Sequence, residues 1–222
     1  MPKQAKADTP LTREKVLRVA VSLADESGIE SLSMRVLGRQ LGVEAMSLYN
    51  HVANKDDLLD GMVDLVIDEI EHPRLDVDWR EAMRVRAYSA RAAFTRHPWA
   101  ARFIDSRVSG GLGRLRYFES VLGVLRRAGF TVDLSARAFS LIDSYIYGFG
   151  RQSLNMTSGD EEGMQAAESF LQALPTEAFP YLAEMASMHS SSPGYDEAAD
   201  FAFGLNLILD GLQRVLDSAL ST

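Results

Sequence analysis

From Thr12 onward, nearly every segment of this chain repeats its apolar residues at three- and four-residue intervals. That spacing puts them on one face of a helix. No strand hairpin, internal repeat or low-complexity tract interrupts it, so the pattern predicts an all-α fold. Thr12 is placed to cap a first helix carrying Val16, Ala20, Leu23 and Ala24, and Gly28 to end it. Ser33 heads a second helix, with Val36, Leu37 and Leu41, that stops at Gly42. A short third helix is expected from about Glu44 to His51. Asn54 then caps a fourth, with Asp56 and Asp57 in its first turn, where the helix dipole favours carboxylates. It carries Leu58, Leu59, Met62, Leu65, Val66 and Ile70 and is expected to end near His72-Pro73.

Residues 71–78, EHPRLDVD, read as a linker. Longer helices are expected over about 78–96, 112–128, 134–154 and 195–219, with weaker helical stretches between Glu161 and Met188. The architecture is then a small N-terminal bundle (11–72) behind a flexible start (1–10), followed by a larger C-terminal bundle (73–222).

Composition narrows the function. The chain has no cysteine, which removes disulfides, thiolate metal sites and a cysteine nucleophile. The first fifteen residues lack the apolar core of a signal peptide, and no apolar run is long enough to span a membrane. A cytoplasmic protein is expected. The net charge of −8 argues against nucleic acid, but it is unevenly spread: residues 1–55 carry +2 and the remainder −10. The N-terminal quarter is marked as a separate surface. His51, His72, His97 and His189 show no metal-ligand spacing, so no metal or other cofactor is expected. No nucleophile elbow, phosphate loop or dinucleotide fingerprint is present, so an enzyme is not expected.

Helices two and three meet at Leu41-Gly42-Val43. A helix of about nine residues, a tight turn with glycine and a short second helix make a helix-turn-helix pattern. Leu48 and Val52 share the inward face, which leaves Ala45, Met46, Ser47, Tyr49 and Asn50 pointing elsewhere. A monomer gains nothing by exposing Met46 and Tyr49 together, whereas a DNA groove uses them. Small and apolar side chains touch thymine methyls, and Ser or Asn bonds base edges. Tyr49, His51 and Lys55 suit phosphates, which fix the docking register. Ser33 and Arg35, at the start of helix two, suit another phosphate. The rival reading is a helical protein-interaction module without specific DNA binding.

The stretch GIESLSMRVLGRQLGVEAMSLYNHVANKDDLLDGM (28–62) resembles the DNA-binding domain of TetR-type transcriptional regulators. The Leu-Gly-Val turn, the Leu-Tyr-x-His-Val run and the Lys before Leu-Leu carry the resemblance. WREAMRVRAYSARAAFTRHPW (79–99), RRAGF (126–130) and Tyr147-Gly148-Phe149 are similar, more loosely, to the C-terminal domain of the tetracycline-repressor subgroup. The resemblance implies a homodimeric repressor that binds a palindromic operator and is released by a small-molecule effector. It places Ser33, Arg35, Ser47, Tyr49, His51 and Lys55 at DNA-contacting positions. Ala45, Met46 and Asn50 stand where the tetracycline repressor has Gln, Pro and Trp, which implies a different operator sequence. The positions of that repressor's metal-linked tetracycline ligands fall on Glu71, Ile104 (or Asp105) and Gln152, so magnesium–tetracycline binding is not expected.

Two further surfaces are expected. In the fold the resemblance implies, Arg86, Phe103, Ile104, Phe118, Val121, Ser140, Ser144 and Gln152 line an effector pocket, with Arg86, Ser144 and Gln152 as polar groups awaiting a partner. The helix around FAFGLNLILDGLQRVLDSAL is apolar over more than half its circumference, beyond the stripe a surface helix needs. With the helix over 134–154 it suits a four-helix dimer interface through Ile142, Tyr145, Phe149, Leu205, Leu209, Leu212 and Leu216.

Overall fold

The computed structural model describes residues 10–104, 111–157, 169, 175–191 and 196–221, leaving aside the side chains of 151–157, 186–191 and 220. The described residues are helical throughout, with no strand. Among the described residues ten α-helices have defined bounds: α1 (Arg13–Ser27), α2 (Met34–Leu41), α3 (Ala45–Leu48), α4 (Lys55–Asp68), α5 (Trp79–Arg96), α6 (Ala101–Ile104), α7 (Leu112–Arg127), α8 (Val132–Thr157), α9 (Pro180–Ser191) and α10 (Glu197–Leu220). One 3-10 turn, Ile29–Ser31, joins α1 to α2. No helix among the described residues is long and apolar enough to cross a membrane.

The caps read from the sequence are the caps observed. Thr12 accepts from Lys15 N at 3.2 Å, Ser33 from Val36 N at 3.3 Å and Asn54 from Asp57 N at 2.9 Å. Each satisfies one N–H that the helix start leaves without an internal partner. Gly28 and Gly42 close α1 and α2 at φ 78° and 70°.

Three boundaries differ. The third helix is a single α-turn of four residues, and Tyr49, Asn50 and His51 follow through tighter i→i−3 bonds. Helix α4 stops at Asp68, four residues before His72-Pro73, with Glu69 as its C-cap. Its closing bonds run from Glu69 N and Ile70 N to carbonyls three residues back. Of the weak helical stretches between Glu161 and Met188, most of 161–174 lies outside the described residues, while α9 begins at Pro180.

The chain packs as two compact units, Met1–Tyr147 and Gly148–Thr222. In the first, α1 packs on α2 and α4, and α4 packs in turn on α5 and α7. The segment between α4 and α5 is pinned rather than loose: Glu71 N donates to Ser89 Oγ at 2.8 Å, and Pro73 is buried. In the second unit Phe149 meets Phe201 edge-on, with centroids 5.1 Å apart.

Candidate nucleic-acid interface

The turn between α2 and α3 is built by two glycines. Gly42 takes the left-handed conformation that ends α2. Gly38 lies under the turn, where a Cβ would sit 2.9 Å from the Val43 carbonyl oxygen and 3.2 Å from the backbone of Ala45. The close approach fixes the angle between the two helices, and Val43 N closes it by donating to Gly38 O at 2.9 Å. The sequence reading placed the turn at Gly42 and overlooked Gly38, whose only signal was a glycine inside a helix.

Leu48 and Val52 are buried, as is Leu37, while Leu41 is half-buried. Burying a side chain of this size contributes roughly 1.5–3 kcal/mol, enough to hold a four-residue helix that would not form alone. The opposite face is open. Met46 is 75% exposed and Tyr49 45%. Asn50, Lys55, Ser33 and Arg35 are exposed, and Ala45, Ser47 and His51 are partly so. All nine sequence-derived candidates therefore lie at the surface.

A clamp from α1 holds this face. Arg13 donates from both terminal nitrogens to Asp57, at 2.8 and 2.6 Å, and to the His51 carbonyl at 3.0 Å. Asp57 also accepts from Ala53 N at 2.8 Å. The Arg13 hydrogen bonds hold the Asp57 carboxyl below its ordinary value, against the opposing effect of its partial burial. Neither Arg13 nor Asp57 was singled out as part of the site, because they are 44 residues apart in sequence.

The helices after α4 hold a second polar centre. Arg86 on α5 is fully buried. Its Nε donates to the Tyr117 hydroxyl on α7 at 2.6 Å, and its Nη2 to Asp143 on α8. Tyr147 donates to the other Asp143 oxygen at 3.1 Å. Burial works against the Arg86 charge, yet Tyr117, Asp143 and Tyr147 outweigh it and keep the guanidinium protonated. Burial pushes the Tyr117 hydroxyl up to about 12 and the Tyr147 hydroxyl well above its ordinary value.

This centre revises the pocket expected from the sequence. Arg86 already has two protein partners, one of them a carboxylate the sequence reading did not name. Ser140 and Ser144 are exposed rather than buried, because α8 turns Ala138, Ile142 and Ile146 inward. Ile104 and Val121 are buried, and Phe103 and Phe118 half-buried. The Gln152 side chain and Asp105 lie outside the described residues. Glu71 is exposed. Among the described residues no cluster of His, Asp and Glu is arranged to hold a metal.

Most of the residues expected at a dimer interface are covered in the single chain. Ile142, Leu205, Leu209, Leu212 and Leu216 are buried within the chain itself, and Tyr145 and Phe149 are half-buried. On α10 the uncovered apolar residues are instead Phe203, Leu207 and Val215. A helix apolar on two faces has one periodicity and two candidate interfaces, so spacing alone could not separate them.

Two family models match the chain. The one described as "Bacterial regulatory proteins, tetR family" covers residues 16–62, and "Tetracyclin repressor-like, C-terminal domain" covers residues 72–216. The chain belongs to the TetR family. This TetR-family chain is 34% identical to the HTH-type transcriptional repressor DrrR1 of Streptomyces coeruleorubidus over 91% of its own length and 77% of that protein's. It is 29% identical to the class A tetracycline repressor from transposon 1721 of Escherichia coli, over 93% and 92%. Among solved structures, ActR of Streptomyces coelicolor in complex with actinorhodin superposes with a TM-score of 0.79 at 29% identity, covering 94% of this chain and 99% of that one. These relatives are regulators rather than enzymes, and so is this chain.

Proposed function

We propose that this TetR-family regulator is a repressor that binds a palindromic operator as a homodimer and leaves it when a small-molecule effector binds. Residues 11–72 read DNA, and residues 73–222 bind the effector and pair the chains. It acts in the cytoplasm, where the operator is. The observation that carries the reading is the exposure of Met46 and Tyr49 on the outer face of a helix-turn-helix whose Leu37, Leu48 and Val52 are buried. Tyr49, His51, Lys55, Ser33 and Arg35 take phosphates, while Ala45, Met46, Ser47 and Asn50 face base edges.

Pairing rests on Phe203, Leu207 and Val215, spaced along one side of α10, with Gly211 between them where an added Cβ would meet open space. Glycine in such a stripe lets two helices approach closely. Two-fold pairing would set two recognition helices about one DNA turn, ~34 Å, apart. Release by an effector is supported by relatives: ActR is solved with actinorhodin, and DrrR1 is named a repressor.

Fluorescence anisotropy of the full-length chain on DNA flanking its own gene tests the proposal. Two chains per bound site, with affinity falling steeply as salt rises, are expected. Binding that ignores sequence would overturn it and leave the helical interaction module as the surviving reading.

A further inference from the structure

Residues 96–102 form a seat for the head made by residues 11–72. Arg96 pairs with Glu69, Trp99 Nε1 donates to Asp25 at 2.7 Å, and Arg102 donates to Glu30 at 2.7 Å. Among them His97, the C-cap of α5, meets two head carboxylates at once. Its Nδ1 lies 2.9 and 3.0 Å from the two oxygens of Asp25, in the last turn of α1. Its Nε2 lies 3.2 Å from both oxygens of Glu69, the C-cap of α4. With both ring nitrogens protonated, one ring donates to both.

These contacts are unequal. Arg102 and Glu30 are largely exposed, and such pairs contribute little. The His97 side chain is only 9% accessible. A long arginine can follow a moving carboxylate, whereas a short planar ring held at two corners cannot. A tilt of the head would therefore break one of the two His97 contacts. Helix α4 has 14 residues, with Lys55 at one end and the Glu69 cap at the other. Over its length of about 21 Å, a tilt of about 10° at Glu69 moves the Lys55 end by roughly 3–4 Å, close to one base-pair step.

We propose that His97 is the positioning residue that fixes the attitude of the head and so sets the spacing between half-sites that this chain accepts. This rests on the reading that the chain binds a palindrome as a homodimer, and it names the side chain that determines which palindromes fit.

The probe is the palindrome that the full-length chain selects from random duplex DNA, with forms one base pair longer and one shorter at the centre. Fluorescence anisotropy gives the affinity for each. For the unmodified chain either change is expected to weaken binding by about tenfold or more, in the range of one mismatched base pair. His97→Gln, whose amide reaches one carboxylate at a time, is expected to reduce that penalty to about threefold. Asp25→Asn and Glu69→Gln, which each neutralise one end, are expected to act alike, and Asp25→Asn to add nothing to His97→Gln, as for one shared bridge. A variant that had only lost stability would bind more weakly at every spacing, with the penalty unchanged. Circular dichroism melts check the fold. An unmodified chain indifferent to spacing overturns the proposal. So does an unchanged penalty in folded His97→Gln or, if that variant does not fold, in Asp25→Asn and Glu69→Gln. Additive effects in the double variant overturn the single bridge, and loss of folding in all three single variants assigns it to stability alone. Selection that enriches no palindrome overturns the homodimer reading itself, and the proposal with it.

Discussion

Asp64 on α4 accepts the backbone N–H of Gly111, at the start of α7, at 2.8 Å. The same carboxylate meets Arg114, itself buried, at 2.9 Å. A carboxylate at a helix start is favoured by the helix dipole and by N–H groups without internal partners. Here it comes from another helix, so α7 is keyed to α4 in one position. A Cβ added at Gly111 would overlap that carboxylate, and one at Gly113 would sit 2.6 Å from Asp68. Gly111→Ala is expected to displace α4 and weaken operator binding by about 10-fold at unchanged helix content, a loss of about 1.4 kcal/mol. Asp64→Asn, which keeps the shape and removes the charge, is expected to weaken it less. Anisotropy titration and circular dichroism of both variants check this.

The exposed face separates docking from reading. Lys55→Ala and Tyr49→Phe are expected to lower affinity similarly on every operator, and the lysine change to flatten the salt dependence by about one unit. Ala45→Gln is expected to change the preferred base, with about 1–3 kcal/mol of discrimination from a well-placed amide. Titrations on a set of single-base operator variants distinguish the two behaviours.

Gly38→Ala pushes a methyl into the Val43 carbonyl and the Ala45 backbone. Rigid neighbours leave it little room, so a loss of about 1–3 kcal/mol is expected, together with weaker binding. Urea unfolding of the full chain measures the first and anisotropy the second.

Leu207→Glu is expected to convert the dimer to monomers without unfolding them, since Leu207 is 55% exposed in the single chain. Leu209→Glu, at a fully buried position, is expected to unfold the chain instead. Sedimentation velocity and thermal melts tell the two apart.

Acid should loosen the Arg13 clamp. The Asp57 carboxyl is held below its ordinary value by the Arg13 hydrogen bonds. It therefore adds stability above the ordinary carboxylate range, and that stability is lost as pH falls through the lower folded value. The pair is partly exposed, with side chains 45% and 32% accessible, so solvent screening limits its contribution to about 0.5–1 kcal/mol. Asp57→Asn is expected to reduce the loss of stability between pH 7 and pH 3, read from urea midpoints.

Local features were legible in the sequence and distant ones were not. Thr12, Ser33, Asn54, Gly28 and Gly42 act on bonds within four residues of themselves, so type and spacing identified them. The outward face of Met46 and Tyr49 followed from the inward face of Leu48 and Val52. Arg86 was named from the fold the resemblance implies, as a polar group awaiting a partner, but its partners stand 31 and 57 residues away. Nothing in the spacing pointed to Tyr117 or Asp143. The Asp64 and Gly111 contact spans 47 residues and was equally hidden. On α10 the periodicity fitted either face, and only the packed chain separates buried Leu205 and Leu209 from open Phe203 and Leu207.

Selection of bound sites from random-sequence duplex DNA by the full-length chain tests the central claim most directly. The account predicts an enriched palindrome whose half-sites lie about one helical turn, 10–10.5 base pairs, apart or a multiple of it. Recovery of no enriched sequence, or of a single unpaired half-site by a chain that remains dimeric, would contradict it.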